Sequence, residues 1–291
     1  MSSELGVTHL RHISLRTSAF DESIEYYQGP WGLDVVDTGD GVAALRGTGS
    51  EHHSLRLTAA DENGLDHLSF AMPSAKAIDL GAQALADRGI VLTAEPGDLN
   101  GPGGGYGFEI ADPEGRPVQF STTVEAVPPR PLGQTPTKIA HVVLNTVDID
   151  AAQAWWCDVL GFRVSDWSEH QMVFLRCNAD HHSIAFNQAD KTSVNHVAYE
   201  VPSLDAFMTS LGRLNHAGHR PGWGPGRHGP GNNAFAYFVD PAGMVPEVTA
   251  EVQQIDETTW VPRVWRRVPE LSDLWGTAGP PSEDIRSHMA G

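Results

Sequence analysis

Six residues in the second half of this 291-residue chain, His141, His182, His196, His228, Tyr237 and Glu247, are of the types that build a metal centre with its own acid-base groups. Two imidazoles and one carboxylate occupy part of the coordination sphere of a first-row divalent ion and leave other positions open to small molecules. Histidine titrates near neutral pH and a phenol can donate or accept a hydrogen bond, so the other three residues could move protons at whatever such an ion binds. Each residue alone has a plainer explanation. An isolated histidine is usually a hydrogen-bonded core or surface group, Tyr237 would be a strand aromatic and Glu247 a solvated carboxylate. His12, His67 and His170 are read in that plainer way, and Trp155 and Trp156 as packing aromatics of a helix.

The set gains weight because the first half of the chain repeats its surroundings without its chemistry. Leu10-Arg11-His12-Ile13-Ser14-Leu15 resembles Ile139-Ala140-His141-Val142-Val143-Leu144, at a spacing of 129 residues. The same spacing carries His52-His53-Ser54-Leu55 onto His181-His182-Ser183-Ile184 and Asp66-His67-Leu68-Ser69-Phe70 onto Asn195-His196-Val197-Ala198-Tyr199. One residue shorter, it carries Asp112-Pro113-Glu114-Gly115 onto Asp240-Pro241-Ala242-Gly243. Blocks in one order at one spacing read as a duplicated domain. In that alignment Gln119 stands at Glu247, Asn100 at His228 and Glu109 at Tyr237. A neutral amide is a poorer ligand for a hard divalent ion than a carboxylate, so the first copy is read as metal-free.

These residues need elements to carry them. Val127 to Pro136 is poor in helix and strand formers and reads as a linker, which divides the chain into 1–126, a linker at 127–137, a metal-binding domain at 138–255 and a tail at 256–291, a candidate lid. In the second copy His141 to Asn145 reads as a strand and Asp148 to Leu160 as a helix. The pattern restarts with a strand at His196 to Val201, a helix at about Leu204 to Leu214 and strands ending at Glu247 to Ala250. The expected fold is therefore α+β, each domain being two βαβββ modules curved around a cavity. His141 and His196 then lie on the opening strands of two modules, and Glu247 on a closing strand, where side chains of one face can meet. Gly222 to Gly231, with five glycines and two prolines, is expected to be a shaped loop carrying His228. Gly103-Gly104-Gly105 reads as a turn, since no Lys-Ser/Thr pair follows to make a phosphate cradle.

Composition excludes several functions. The charge is −18, from 19 basic and 37 acidic residues, so nucleic acid and anionic membrane would be repelled. Arg263, Arg266 and Arg267 form the one obvious basic cluster, expected on a solvated or subunit-packing face. No secretory leader or span-length apolar stretch is evident, and a cytoplasmic enzyme is expected. Cys157 and Cys177 read as reduced core residues.

The stretch Gly226-Arg227-His228-Gly229-Pro230-Gly231-Asn232-Asn233-Ala234-Phe235-Ala236-Tyr237-Phe238-Val239-Asp240-Pro241-Ala242-Gly243-Met244-Val245-Pro246-Glu247 resembles the signature of the type I extradiol ring-cleaving dioxygenases, members of the vicinal oxygen chelate superfamily. Ala236 and Pro246 depart from the family's usual pattern. The resemblance covers the chain up to the tail and implies two tandem vicinal oxygen chelate domains. It implies that His141, His196 and Glu247 bind Fe(II), with Mn(II) the alternative. It places His182, in His182-Ser183-Ile184-Ala185-Phe186, at the catalytic histidine that supplies a proton, with His181 its neighbour, and His228 and Tyr237 at substrate-bonding positions. The implied reaction is cleavage of a catechol-type ring with O2 to a muconic semialdehyde-type acid, in aromatic hydrocarbon catabolism, by a homo-oligomer.

Rival functions are a non-catalytic binding protein for a flat aromatic ligand, a metal-dependent isomerase or lyase, and a keto-acid-dependent hydroxyphenylpyruvate-type dioxygenase. The first has no need of His182, His228 and Tyr237, the second usually places more than one carboxylate on the ion, and the third lacks the His182, His228 and Tyr237 arrangement. Trp167, Met172, Phe186 and Trp223, with the tail tryptophans Trp260, Trp265 and Trp275, are candidates to line a flat pocket.

Overall fold

The computed structural model describes residues 5–291, so the first four positions of the expected 1–126 domain lie outside the described residues. The first copy runs β1 (His9–Thr17), α1 (Phe20–Tyr26), β2 (Asp34–Gly39), β3 (Val42–Arg46), β4 (Leu55–Ala59), β5 (Gly64–Ala71), α2 (Ala75–Asp87), β6 (Leu92–Asp98), β7 (Tyr106–Ala111) and β8 (Pro117–Thr122). The second runs β9 (Lys138–Thr146), α3 (Ile149–Asp158), β10 (Arg163–Ser168), β11 (Met172–Arg176), β12 (Ile184–Gln188), β13 (Ser193–Glu200), α4 (Leu204–His216), β14 (Trp223–Arg227), β15 (Ala234–Tyr237) and β16 (Pro246–Ala250). The tail adds β17 (Arg263–Trp265), α5 (Pro269–Ser272) and α6 (Glu283–Ala290). Each copy is thus β-α-β-β-β twice over.

The two sheets have matching strand orders, β2-β3-β4-β1-β5-β8-β7-β6 and β17-β10-β11-β12-β9-β13-β16-β15-β14, the second extended by β17 from the tail. Opening strands of the two modules pair antiparallel at the centre, and each pairs parallel with the closing strand of its own module. Helices α3 and α4 begin where a short oxygen-bearing side chain can satisfy a free amide: Asp148 accepts from Ala151 N at 3.0 Å and Ser203 from Ala206 N at 3.1 Å. Such a cap stabilises a helix by about 1 kcal/mol.

The copies clasp each other through a reciprocal contact. Tyr27, just after α1, donates its hydroxyl to Asp240 at 2.9 Å, and Trp156 on α3 directs its indole N–H at Asp112 at 3.4 Å. Asp112 and Asp240 belong to the two copies of the repeated Asp-Pro motif. Trp31 packs on Tyr199 and Phe238, while Trp156 packs on Phe70, Phe162 and Phe186, so both aromatics seal one continuous core.

The glycine-rich stretch is not the loop expected. Trp223–Arg227 is an edge strand, paired with β15 through an irregular register between Trp223 and Gly226. The pairing outweighs the weak strand propensity of Gly and Pro, and it requires glycine locally. Gly224 has φ +108°, and a Cβ there would sit 2.7 Å from the backbone of Ala236. Gly103, Gly104 and Gly105 do form a turn, all with positive φ.

Candidate metal centre

The register of the central strands gathers the chemistry. Ala198 on β13 lies opposite His141 on β9 and beside Glu247 on β16, and Tyr237 on β15 lies opposite Glu247. His141, Ala198, Glu247 and Tyr237 therefore form one row across four strands. His196, two residues from Ala198, points to the same face. The ligand-capable atoms of His141, His196 and Glu247 all lie within 4.8 Å of one another, and all three residues are buried. Among the described residues no other group of three or more His, Cys, Asp and Glu side chains meets that condition. In the first copy the same row reads His12, Ser69, Gln119 and Glu109.

Hydrogen bonds fix which histidine atoms face the centre. Asn195 donates its amide hydrogens to Asn145 Oδ1 and the Met289 carbonyl, both at 3.0 Å, so its oxygen faces His196 Nδ1 at 2.8 Å. His196 Nδ1 donates there, and its Nε2 lies 3.4 Å from Glu247 Oε2, with His141 Nε2 at 3.2 Å. Burial alone would raise the Glu247 carboxyl, but the two imidazoles beside it outweigh that and hold it well below the usual range. Burial lowers His196, with Glu247 opposing in part. The set is an ionised carboxylate facing two imidazoles, of which His196 resists protonation, as binding a cation requires.

His228 and Tyr237 form a second unit. His228 Nδ1 lies 3.0 Å from the carbonyl oxygen of Ser272 in the tail, which can only accept, so Nδ1 carries the hydrogen. Nε2 then accepts from the Tyr237 hydroxyl at 2.9 Å. The His228 ring stacks on Phe235 at 3.8 Å between centroids, and burial below the protein surface lowers it to about 4. Tyr237 is raised well above its ordinary value, first by burial and then by Glu247. On the other side, the His182 ring sits 4.0 Å from that of His141, and His181 joins His182 Nδ1 to the buried Asp166.

These groups line a cavity of about 270 Å³. Met172 and Trp223 line it as expected, but Trp167 and Phe186 do not. Trp167, Val173 and Phe186 form a cross-strand row on the opposite face, where Phe186 is fully buried against Trp156. The tail supplies one wall through Trp265, Leu271 and Met289. Trp260 instead donates to the Ser165 carbonyl, and Trp275 is exposed. Arg263, Arg266 and Arg267 are exposed, the solvated placement expected of the basic cluster; Arg266 and Arg267, joined by Arg286 of α6, also line this cavity, and Arg263 lies outside it. The tail returns over the site because β17 pairs with β10, bringing the following residues to the cavity mouth.

Asn195 and Asp166 were not singled out from sequence as parts of the site. The change from Asp66-His67 to Asn195-His196 between copies was a usable signal for Asn195. The carbonyls of Ser272 and Met289 leave none, since any residue carries one.

A duplicated sheet pair whose second copy turns two imidazoles and a carboxylate into one cup defines a class of metal-dependent proteins. The family model described as Glyoxalase/Bleomycin resistance protein/Dioxygenase superfamily matches residues 9–120 and 138–248, and the chain belongs to that superfamily. Among solved structures it is similar to the Mn(II)-bound glyoxalase from Novosphingobium aromaticivorans, with 36% identity and a TM-score of 0.91 over 98% of this chain and 94% of that one. It is 27% identical to the manganese-dependent 2,3-dihydroxybiphenyl 1,2-dioxygenase of Geobacillus genomosp. 3, over 88% of this chain and 89% of that one. A stretch of 122 residues is 32% identical to metapyrocatechase 2 of Cupriavidus necator, covering 41% of this chain and 38% of that one.

Proposed function

We propose that this chain is an extradiol dioxygenase, cleaving a catechol-type ring with O2 at an Fe(II) or Mn(II) centre held by His141, His196 and Glu247 and yielding a muconic semialdehyde-type acid. The observation that carries this reading is the single-face gathering of those three donors with Tyr237, beside a cavity that His182 and His228 also line. The donors fit such an ion, because Asn195 turns the His196 Nε2 lone pair inward and Glu247 is held ionised. When bound, the ion would supply Lewis acidity toward a catechol hydroxyl and a redox capacity that Zn(II) lacks.

The protein's own groups then have separable tasks. The Tyr237 hydrogen points at His228, so the Tyr237 oxygen keeps lone pairs that can accept from a substrate hydroxyl. His182, on the far side of His141, exchanges a proton with the reacting oxygens. Phe174 and Trp223 offer flat walls to a ring, and Leu271 and Met289 from the tail exclude water, which strengthens every polar contact inside. The guanidinium groups of Arg266, Arg267 and Arg286 at the mouth form no ion pair with a carboxylate among the described residues, in a chain of charge −18. They favour a catechol carrying an anionic substituent.

The same reading takes 1–126 and 138–255 as the two domains, 256–291 as a covering tail, and a homo-oligomer in a reducing compartment as the working form. Among the described residues no helix is long and apolar enough to cross a membrane. Light scattering checks the assembly. The reaction is tested with protein purified anaerobically and loaded with Fe(II): about one O2 consumed per catechol, and a yellow product whose colour depends on pH, are expected. No oxygen uptake across plain, alkylated, fused-ring and carboxylated catechols at full iron loading refutes the reading and favours a binding protein.

A further inference from the structure

His182 is oriented by a chain of hydrogen bonds that starts in the tail. Asp166 on β10 is 1% exposed and accepts from three donors: Arg263 N to Oδ1 at 2.7 Å, the Trp265 indole N–H to Oδ2 at 2.7 Å, and His181 Nε2 to Oδ2 at 3.1 Å. A carboxylate ringed by donors is fixed as an acceptor, so His181 carries a hydrogen on Nε2. Burial lowers His181 overall, with Asp166 opposing, so its second nitrogen is a lone pair. That lone pair, Nδ1, lies 3.0 Å from His182 Nδ1. The contact is a hydrogen bond only when His182 carries its hydrogen on Nδ1. His182 Nε2, which has no hydrogen-bond partner among the described residues, is then unprotonated in a side chain that lines the cavity.

We propose that Asp166 and His181 are positioning residues that hold His182 in its Nδ1–H tautomer, and that the tail strand Arg263–Trp265 completes this arrangement by fixing Asp166. His182 therefore begins the reaction as a proton acceptor. It takes a proton from a substrate hydroxyl onto Nε2 and returns that proton to an oxygen of the opened ring, so no external acid is consumed. The inference rests on the ring-cleaving reading for its catalytic consequence, but not for the tautomer itself.

The first copy provides an internal comparison. His52 and His53 repeat the pair, Nδ1 to Nδ1 at 3.1 Å, but Asp37 at the place of Asp166 is exposed, and β17 has no counterpart in that sheet. The paired histidines thus belong to the duplicated fold, whereas the carboxylate that polarises them is engaged only under the tail.

The test reads the tautomer directly. Long-range proton–nitrogen correlation on 15N-histidine-labelled, Zn(II)-loaded protein shows which ring nitrogens carry hydrogen, independent of turnover. Nε2–H for His181 and Nδ1–H for His182 are expected; Nε2–H for His182 overturns the proposal even if every variant misfolds. In Asp166→Asn, loaded with Fe(II), kcat falls by about 100-fold, within the range of a misplaced general acid-base group, while KM and iron content stay unchanged. Trp265→Phe, which keeps an aromatic ring in the cavity wall but removes one donor to Asp166, gives a smaller loss in kcat. Unchanged kcat in Asp166→Asn overturns the proposal. A wild type that cleaves no catechol sinks the ring-cleaving reading, and the tautomer measurement still decides the proposal about Asp166 and His181.

Discussion

A double-mutant cycle on Tyr237 and His228 tests whether they act as one hydrogen-bonded unit. The Ser272 carbonyl fixes the hydrogen of His228 on Nδ1, and the Tyr237 hydroxyl therefore donates to Nε2 at 2.9 Å. Substrate, Tyr237 and His228 then share one line of hydrogen bonds with a set direction. Removing the group between a donor and an acceptor leaves buried polar atoms unsatisfied at a cost of about 1.5–3 kcal/mol, and without the Tyr237 oxygen the donating catechol hydroxyl and His228 Nε2 would be such atoms. Tyr237→Phe is accordingly expected to lower kcat/KM by about 10- to 150-fold. His228→Phe preserves the stack on Phe235 but removes the acceptor that aligns the hydroxyl, so its loss is expected to be similar. The double variant should lose little more than either single one, giving a coupling energy of about 1.5–3 kcal/mol. Initial rates from product absorbance, normalised to bound iron, provide the assay. Losses that multiply to about 10²–10⁴ would show two independent contributions and refute the shared line.

Three further outcomes are expected. Glu247→Gln removes the one charge in the donor set, and its loss of metal affinity should exceed the 10- to 100-fold typical of outer-shell changes; a chelator titration finding less than about 3-fold would remove Glu247 from the centre. Arg266→Ala with Arg286→Ala should raise KM for a carboxylated catechol by about 3- to 30-fold, from two exposed contacts of up to about 1 kcal/mol each, and leave KM for catechol unchanged; equal effects on both substrates would deny the anion preference. Asp240 is pushed up from 3.8 to about 6, chiefly by burial, so its proton stabilises the folded state fully below about pH 3.8, and that contribution is lost as pH rises through 6. Asp240→Asn keeps an oxygen for the amides of Ala242 and Met244, and should therefore stabilise the protein by up to about 3 kcal/mol at pH 8 but hardly at pH 4. Denaturant titrations at the two pH values check this, and equal effects at both would refute it.

The duplication and the donor row were legible because each rests on local sequence. A repeated block of four to six residues fixes an opening strand, and strand pairing brings His141, His196, Glu247 and Tyr237 to one face. Pocket walls were harder to read, because aromatic type does not reveal which face of a strand a side chain occupies. Trp167, Val173, Phe186 and Leu144 form one cross-strand row toward the helices, while Ser168, Met172, Asn187 and Asn145 form the adjacent row on the other face. A shift of one residue separates core from cavity, and Phe186 and Asn187 fall on opposite sides of that division. The edge strand at Trp223 was obscured for a different reason: its hydrogen bonds come from β15, and local Gly and Pro content says nothing about a partner.

The tail explains why one copy of the repeat can orient its histidines toward a cation. Strand backbones within a sheet spend their donors and acceptors on neighbouring strands, so side chains on the open face must find orienting partners elsewhere. In the second copy those partners come from outside the repeat: the Met289 carbonyl holds Asn195, the Ser272 carbonyl holds His228, and Arg263 and Trp265 hold Asp166. Among the described residues no tail segment covers the first copy in this way, and its polar groups bond one another instead. His12 and His67 meet through Nε2 atoms at 3.0 Å, Asp66 sits 3.3 Å from His67 Nδ1, and the Arg56 guanidinium shares their cavity. A cation there would have to break the histidine pair and sit beside an arginine with only the neutral Gln119 at the place of a carboxylate. The physical difference between the copies therefore lies as much in what covers each cup as in the residues that line it.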